Sequence, residues 1–248
     1  MRELSISKEA LHGARLIRYE ACDSTNERAR EYAKEFSSEA VFLADRQTAG
    51  RGRRGRSFLS EEGGIYISFL YFPRGGEVDI SGITAKSAVI LARAIDRVTG
   101  VRCDIKWVND LYIKGKKIAG ILTEGEFDEN GKLAYYVVGM GINVYKIEGF
   151  REKMPIAAAL EEFAFSEINF DNLCSEIIFG MRRAAPPSEE LLSEYRERCM
   201  LSGLEVIVHR GDEEYPALVL GVNDDYSLSV KVGDEIRSLC SGEVSVVF

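Results

Sequence analysis

Among the 248 residues there are only two histidines, one tryptophan and five prolines. His12 and His209 each stand apart from any Ser, Cys or acid cluster in the sequence, so histidine-driven general-base catalysis is not indicated, and both read as surface residues. The five cysteines (Cys22, Cys103, Cys174, Cys199, Cys240) are scattered without a C-x-x-C pair. That spacing argues against a zinc site and reads as reduced thiols in a cytoplasmic protein. No apolar run reaches the roughly 18 residues of a membrane span, and the longest, around residues 65–72, is strand-sized. The start Met1-Arg2-Glu3-Leu4 has no apolar signal region, so export is not expected. A basic excess is missing too: the net charge is −8, against what a protein that coats nucleic acid would carry.

Against this acidic background one stretch stands out. In Gln47-Thr48-Ala49-Gly50-Arg51-Gly52-Arg53-Arg54-Gly55-Arg56, four arginines and three glycines fall within seven residues, and no acid lies between Asp45 and Glu61. Glycine lets backbone N–H groups approach a ligand, and arginine offers planar charged forks that match carboxylate and phosphate oxygens. The loop is expected to be mobile until a ligand fills it. It is neither a P-loop nor a dinucleotide fingerprint, since G-x-x-x-x-G-K-[ST] is absent and no helical pattern follows Gly55. Taken alone it fits a small anion, an RGG-like patch for RNA or a solvated charge run equally well.

Around this loop the pattern predicts an α+β chain. Ser24-Thr25-Asn26-Glu27 has the form of a capping box before a helix over 25–37, with Ala29, Tyr32, Ala33 and Phe36 at helical spacing. Strands are expected at 40–44 and 65–72, and a long helix from Ile80 to Thr99 with Asp79 or Ser81 at its start and Gly100 at its end. A meander follows: a strand at 103–108, a turn at Asn109-Asp110, strands at 117–127 and 133–143, then two or three helices between 156 and 201 broken at Pro186-Pro187. Beyond Ser202-Gly203, short strands at 204–208, 215–222, 228–232 and 235–239, with turns at Gly211-Asp212, Asn223-Asp224 and Gly233-Asp234, suggest a small β-barrel. The expected division is a unit over 1–202 and a second over 203–248.

Three further clusters could carry chemistry. Lys106-Trp107-Val108-Asn109-Asp110 places a cation, an amide and a carboxylate at a strand end, although a Trp-anchored turn reads as well. Lys117 opens a strand, and Gly139-Met140-Gly141-Ile142-Asn143 closes one with glycines that permit close approach or only relieve crowding. In combination the pieces are specific. Ser24-Thr25-Asn26, the glycine–arginine loop, Lys106-Trp107-x-Asn109-Asp110, Lys117-x-Ala119-Gly120-Ile121-Leu122 and Gly139-x-Gly141-Ile142-Asn143 resemble, in order and spacing over roughly residues 20–145, the biotin protein ligases. The terminal Gly242-Glu243-Val244-Ser245 resembles that family's C-terminal cap.

The resemblance implies a mixed or antiparallel catalytic sheet with flanking helices, of the class II synthetase-like kind, followed by a small SH3-like β-barrel. It implies activation of biotin by Mg·ATP to biotinyl-5′-AMP, then transfer to a lysine of a biotin carboxyl carrier protein, in a possible homodimer. Carried over by position, Ser24, Thr25, Asn26 and Gln47 would serve the ureido ring, and Gly120 the floor beneath biotin. Gly50, Arg51, Gly52 and Arg53 would meet its carboxylate and the α-phosphate. Lys117, with Arg53, would be catalytic, while Arg53, Arg56, Phe58, Lys106, Asn109, Asp110, Lys117 and Asn143 would serve the nucleotide and its magnesium. Phe58 stands where the family carries tryptophan, and Val108 where it carries proline. Only 23 residues precede Ser24, too few for the winged-helix domain of bifunctional relatives, so a ligase without repressor function is expected. A lipoate or octanoate transferase of related fold and a non-enzymatic RNA-binding protein are the alternatives.

Overall fold

The computed structural model describes residues 6, 8–73, 79–149, 152, 155–183, 189–210, 213–240 and 243–246. Met1–Leu4, Pro186-Pro187, Gly211-Asp212 and Gly242 lie outside the described residues. A short helix α1 (Lys8–Leu11) precedes strand β1 (Arg15–Cys22), helix α2 (Thr25–Glu35), β2 (Ala40–Gln47) and β3 (Gly64–Tyr71). Helix α3 (Ile80–Thr99) leads into β4 (Asp104–Lys106), β5 (Asp110–Ile113), β6 (Lys116–Phe127) and β7 (Leu133–Asn143). Helices α4 (Phe170–Arg183) and α5 (Glu189–Arg198) follow, then β8 (Glu205–Arg210), β9 (Glu213–Val222), β10 (Leu228–Val232), β11 (Glu235–Leu239) and β12 (Glu243–Val246).

Seven strands form one mixed sheet in the order β1-β2-β3-β7-β6-β5-β4, in which only the β1–β2 pair is parallel. Helix α2 packs on one face against β2, β3 and β7, while α3, α4 and α5 form the layer on the other. The larger core lies under α3, where Ala85, Ala88, Val89, Leu91, Ala92 and Ile95 are fully buried against sheet residues such as Ile65, Ile67 and Ile118. Each of the larger side chains among them, Val, Leu or Ile, contributes roughly 1.5–3 kcal/mol of transfer free energy. A smaller cluster of Ala29, Ala40, Phe42, Leu70 and Val137 seats α2. That seat leaves the first turn of α2 over the middle of the sheet, which positions the site.

Several expectations are met with adjusted ends. Asp79 caps α3 by accepting the Ser81 N–H at 2.9 Å, and Gly100 ends it in the left-handed region at φ 72°. Others are corrected. Ser24 makes no side-chain cap, and the Glu27 carboxylate binds Arg51 instead of closing a capping box. The strand expected over 103–108 is only β4, because Trp107–Asn109 form the turn and Asp110 already pairs in β5. Between 156 and 201 the two or three helices expected are, among the described residues, two, α4 and α5, preceded by a single 3-10 turn at Leu160–Glu162.

The last five strands make a second, antiparallel sheet in the order β11-β10-β9-β8-β12. It fits the small barrel expected there but is not closed: among the described residues no pairing joins β11 to β12. It is locked to the first sheet by Trp107, which is buried and donates its indole N–H to the Tyr226 carbonyl at 2.9 Å.

Candidate functional site

A cleft of about 800 Å³ opens between the two sheets, on the α2 face of the larger one. Its floor exists because β6 and β7 carry glycine where a side chain would fill the space. Gly120 lies opposite Gly141, and Gly139 opposite Ser68 and Leu122. A Cβ on Gly139 would overlap the Asn26 carboxamide oxygen, and one on Gly141 would lie 2.5 Å from the Phe58 ring.

One end of the cleft is a neutral polar cluster. The Thr25 N–H and hydroxyl both donate to Gln47 Oε1, at 2.8 and 3.1 Å, and Gln47 Nε2 donates to Ser60 Oγ at 2.9 Å. Ser68 Oγ, fully buried, lies 2.7 Å from Thr25 Oγ1 and 2.6 Å from Asn26 Oδ1. These bonds fix the orientation of both carboxamides.

The other end is cationic. The glycine–arginine loop folds as a short hairpin, with Arg51 bridged to Ser57, the Gly52 N–H donating to the Arg56 carbonyl at 2.7 Å, and Arg54 and Gly55 in the left-handed region at φ 55° and 72°. The turn throws its guanidinium groups to different walls. Arg53 Nη1 donates to Asn109 Oδ1 at 3.0 Å, and Asn109 Nδ2 donates to the Ile121 carbonyl at 2.8 Å. Arg51 pairs with Glu27 and lies 3.9 Å from Glu124. Facing the loop, Lys117 Nζ lies 2.7 Å from Asp110 Oδ2, with both side chains about one-fifth exposed. The other carboxylate oxygen, Asp110 Oδ1, is buried and has no hydrogen-bond partner. Lys106 Nζ sits over the Tyr112 ring at 5.9 Å, and burial, followed by the Asp110 charge, pushes the Tyr112 phenol up to about 12.

A carboxylate and a polyphosphate brought together here would meet fixed cations on two sides and a neutral hydrogen-bonding pocket beyond. The family-level pattern of this architecture matches residues 19–143, half of the chain, under the description Biotin/lipoate A/B protein ligase family. The chain belongs to that family. It is 28% identical to the bifunctional ligase/repressor BirA of Bacillus subtilis over 96% of this chain and 76% of the relative. It is 37% identical to the biotin–[acetyl-CoA-carboxylase] ligase of Paracoccus denitrificans, over 49% of this chain and 51% of the relative. Among solved structures, the biotin protein ligase of Aquifex aeolicus in complex with biotin and ATP superposes with a TM-score of 0.78 at 27% identity, covering 94% of this chain and 98% of that one.

Of the residues singled out in this biotin/lipoate ligase family member, Ser24, Thr25, Asn26, Gln47, Arg51, Gly52, Arg53, Arg56, Phe58, Lys106, Asn109, Asp110, Lys117 and Gly120 all line the one cleft. Gly50 lines an adjoining cleft of about 540 Å³ that shares Gln47, Ser57 and Phe58 with the first. Asn143 is buried at the end of β7 opposite Gly64, and the cleft lining does not include it.

Three wall residues come from the second sheet: His209, Glu214 and Val244. His209, expected at the surface, has Nδ1 2.8 Å from Glu214 Oε1. The two side chains meet across a hairpin, and nothing local in the sequence announces that this hairpin folds over the first sheet. Glu124 is a further residue that the motifs do not single out. The signal for it is present, because it shares with Gly120 and Leu122 the alternate positions of β6 that face the cleft.

Proposed function

We propose that this chain is an ATP-dependent biotin protein ligase that makes biotinyl-5′-AMP and passes the acyl group to a lysine of a biotin carboxyl carrier domain, in acetyl-CoA carboxylase or another biotin-dependent carboxylase. The observation that carries the reading is the pairing, in one cleft, of the Thr25–Gln47 polar pocket with a cationic mouth built by Arg53 and Lys117.

In the first step a biotin carboxylate oxygen attacks the α-phosphorus, the bond to the bridging oxygen breaks and pyrophosphate leaves. Two unit charges 4 Å apart repel by about 4 kcal/mol at an effective dielectric of 20. Lys117 and Arg53 offset that repulsion and hold charge on the phosphoryl oxygens; Gly52 allows backbone approach, and Arg56 and Lys106 add charge for the nucleotide. Phe58, edge-on to Tyr66 with ring centroids 6.4 Å apart, supplies an aromatic wall for the adenylate. Ser24, Thr25, Asn26 and Gln47 hold the ureido ring over Gly120. In the second step the carrier amine attacks the acyl carbon, AMP leaves with the bonding electrons, and the new amide nitrogen gives up a proton.

Magnesium belongs to this reading. No cluster of three or more candidate ligands occurs among the described residues, and one carboxylate plus substrate phosphates is how magnesium is usually held. Asp110, with its partnerless buried oxygen, would hold the ion, which when bound would neutralise phosphate charge, while Asn109 keeps Arg53 in place beside the nucleotide.

The proposed division places residues 1–202 in the catalytic unit and 203–248 in an SH3-like module whose His209, Glu214 and Val244 wall the cleft. Location in the cytoplasm is supported by five cysteines that form no disulfide among the described residues. A homodimer through the catalytic sheet is supported by β1 ending that sheet, while at the other edge the Ile105 carbonyl of β4 is covered by the Met200 N–H at 3.0 Å.

The test is direct: incubate the protein with biotin, Mg·ATP and a carrier domain, and probe the carrier for biotin. Labelling of a single lysine is expected. Lipoate accepted in place of biotin, or no acyl transfer at all, overturns the reading.

A further inference from the structure

The polar pocket and the arginine loop are joined by one carboxylate. Ser68 Oγ lies 2.6 Å from Asn26 Oδ1, which orients that carboxamide so that Asn26 Nδ2 donates to Glu124 Oε2 at 2.8 Å. The second oxygen, Glu124 Oε1, lies 2.9 Å from Arg30 Nη2 and 3.9 Å from Arg51 Nη2. Glu27 joins the same group, pairing with Arg51 and lying 3.6 Å from Arg30. Two acids thus clasp two guanidinium groups, one anchored on α2 and one carried by the loop. The inner part of the chain is enclosed: Ser68 is fully buried, Asn26 is 4% exposed, and Gly139 beneath Asn26 has no room for a Cβ. The outer end is soft, since the Arg51 side chain is 46% exposed and held by ion pairs at the surface.

We propose that Glu124 is a positioning residue that couples occupancy of the polar pocket to closure of the arginine loop. A ligand that seats against Thr25 and Asn26 adds to the bonds that already orient the Asn26 carboxamide, and so strengthens its hold on Glu124. The carboxylate then presents its second oxygen to Arg51, so the loop closes best over a filled pocket. Arg51 on this account is the latch of the loop rather than a partner of the substrate carboxylate, a role left to Arg53 and Lys117. Only the identity of the pocket's ligand rests on the ligase reading; the coupling is a property of the bonds themselves.

The loop carries its own reporter, because trypsin cleaves after Arg53, Arg54 and Arg56. Limited tryptic digestion read by mass spectrometry is applied to the wild type, Glu124→Gln, Arg51→Met and the double variant, each with and without biotin. Without ligand, nicking accelerates in either single variant by at least about fivefold, the lower end of an ordinary coupling between sites. The double variant is no faster than Arg51→Met alone, because Glu124 acts on the loop through Arg51 and is silent once Arg51 is gone. Biotin slows nicking of the wild type markedly and of Glu124→Gln only weakly, while Glu124→Asp restores part of the protection. Unchanged nicking in the single variants, or additive acceleration in the double, overturns the proposal. Equal protection by biotin in wild type and Glu124→Gln overturns it also. A merely structural role of Glu124 would appear as a lowered Tm with protection intact, which counts against the proposal. Failure of the ligase reading shows separately, as absence of pyrophosphate release from the wild type with biotin and ATP.

Discussion

Lys117 is held in place by a short contact to Asp110, and that contact decides what its loss should do. Lys117→Ala removes the ammonium group from the side of the cleft facing Arg53, and the rate of pyrophosphate release with biotin and ATP should fall by about 10²–10³, the usual effect of deleting one preorganised donor. Biotin binding, measured by calorimetry, should weaken and remain detectable, since the polar pocket does not use Lys117. Gly139→Ala tests the floor from beneath: its Cβ has no space under Asn26, so the carboxamide must move or the strands must part. A loss of about 1–3 kcal/mol in a urea titration is expected, as for overpacking elsewhere, together with weaker biotin binding. Much of this site is legible in the sequence through the family resemblance, because motifs that are ambiguous singly become specific in their shared order and spacing. His209 and Glu214 are not, because each acquires its meaning from a residue on another element, while Glu124 is legible only through the alternation of β6.

At the scale of elements, the helical layer carries a charge cluster with a defined response to pH. Glu194 on α5 accepts from Arg93 Nε of α3 at 2.7 Å and from Arg198 Nε at 2.9 Å, while Arg198 reaches Asp96 at 2.7 Å. Burial acts first and would raise the Glu194 carboxyl, but the bonds and charges of Arg93 and Arg198 outweigh it and hold the group below its ordinary value. A folded pKa below the unfolded one means that this cluster stabilises the fold fully above the ordinary glutamate value of about 4.3 and loses that contribution as pH falls through the folded value. Glu194→Gln should therefore lower the urea midpoint near pH 7, and the gap to the wild type should narrow toward pH 3.

Elements are most legible in the sequence where periodicity and end signals agree, as in α3 with Asp79 and Gly100 at its ends. Strand β1 escapes such a reading, because its arginines and glutamate mask any alternation in a half-exposed edge strand. The segment 103–113 misleads for another reason: a tight turn after three strand residues looks, in sequence, like a longer strand.

Across the whole molecule, the seam between the two sheets depends on Trp107, buried in the turn after β4, whose indole N–H is satisfied by the carbonyl of Tyr226, a residue at φ 61°. Trp107→Phe keeps an aromatic ring and strands that carbonyl, at a cost of about 1–3 kcal/mol. Scanning calorimetry should show a lower Tm, and turnover should fall as well, because Trp107 and the second sheet wall the same cleft.

The way the cleft is drawn from the chain also bears on how it comes into being. Ser24 and Val244 both line it, and the central pairing of β3 with β7 joins Gly64 to Asn143. Contacts so distant in sequence exact their loop-closure entropy before they return any energy, whereas α3 and α4 can form early from local contacts. On dilution from denaturant, far-ultraviolet circular dichroism should recover ahead of adenylating activity. For some interval the chain would hold most of its helix content while its anion site was still unassembled, with the four arginines of the loop open to solvent.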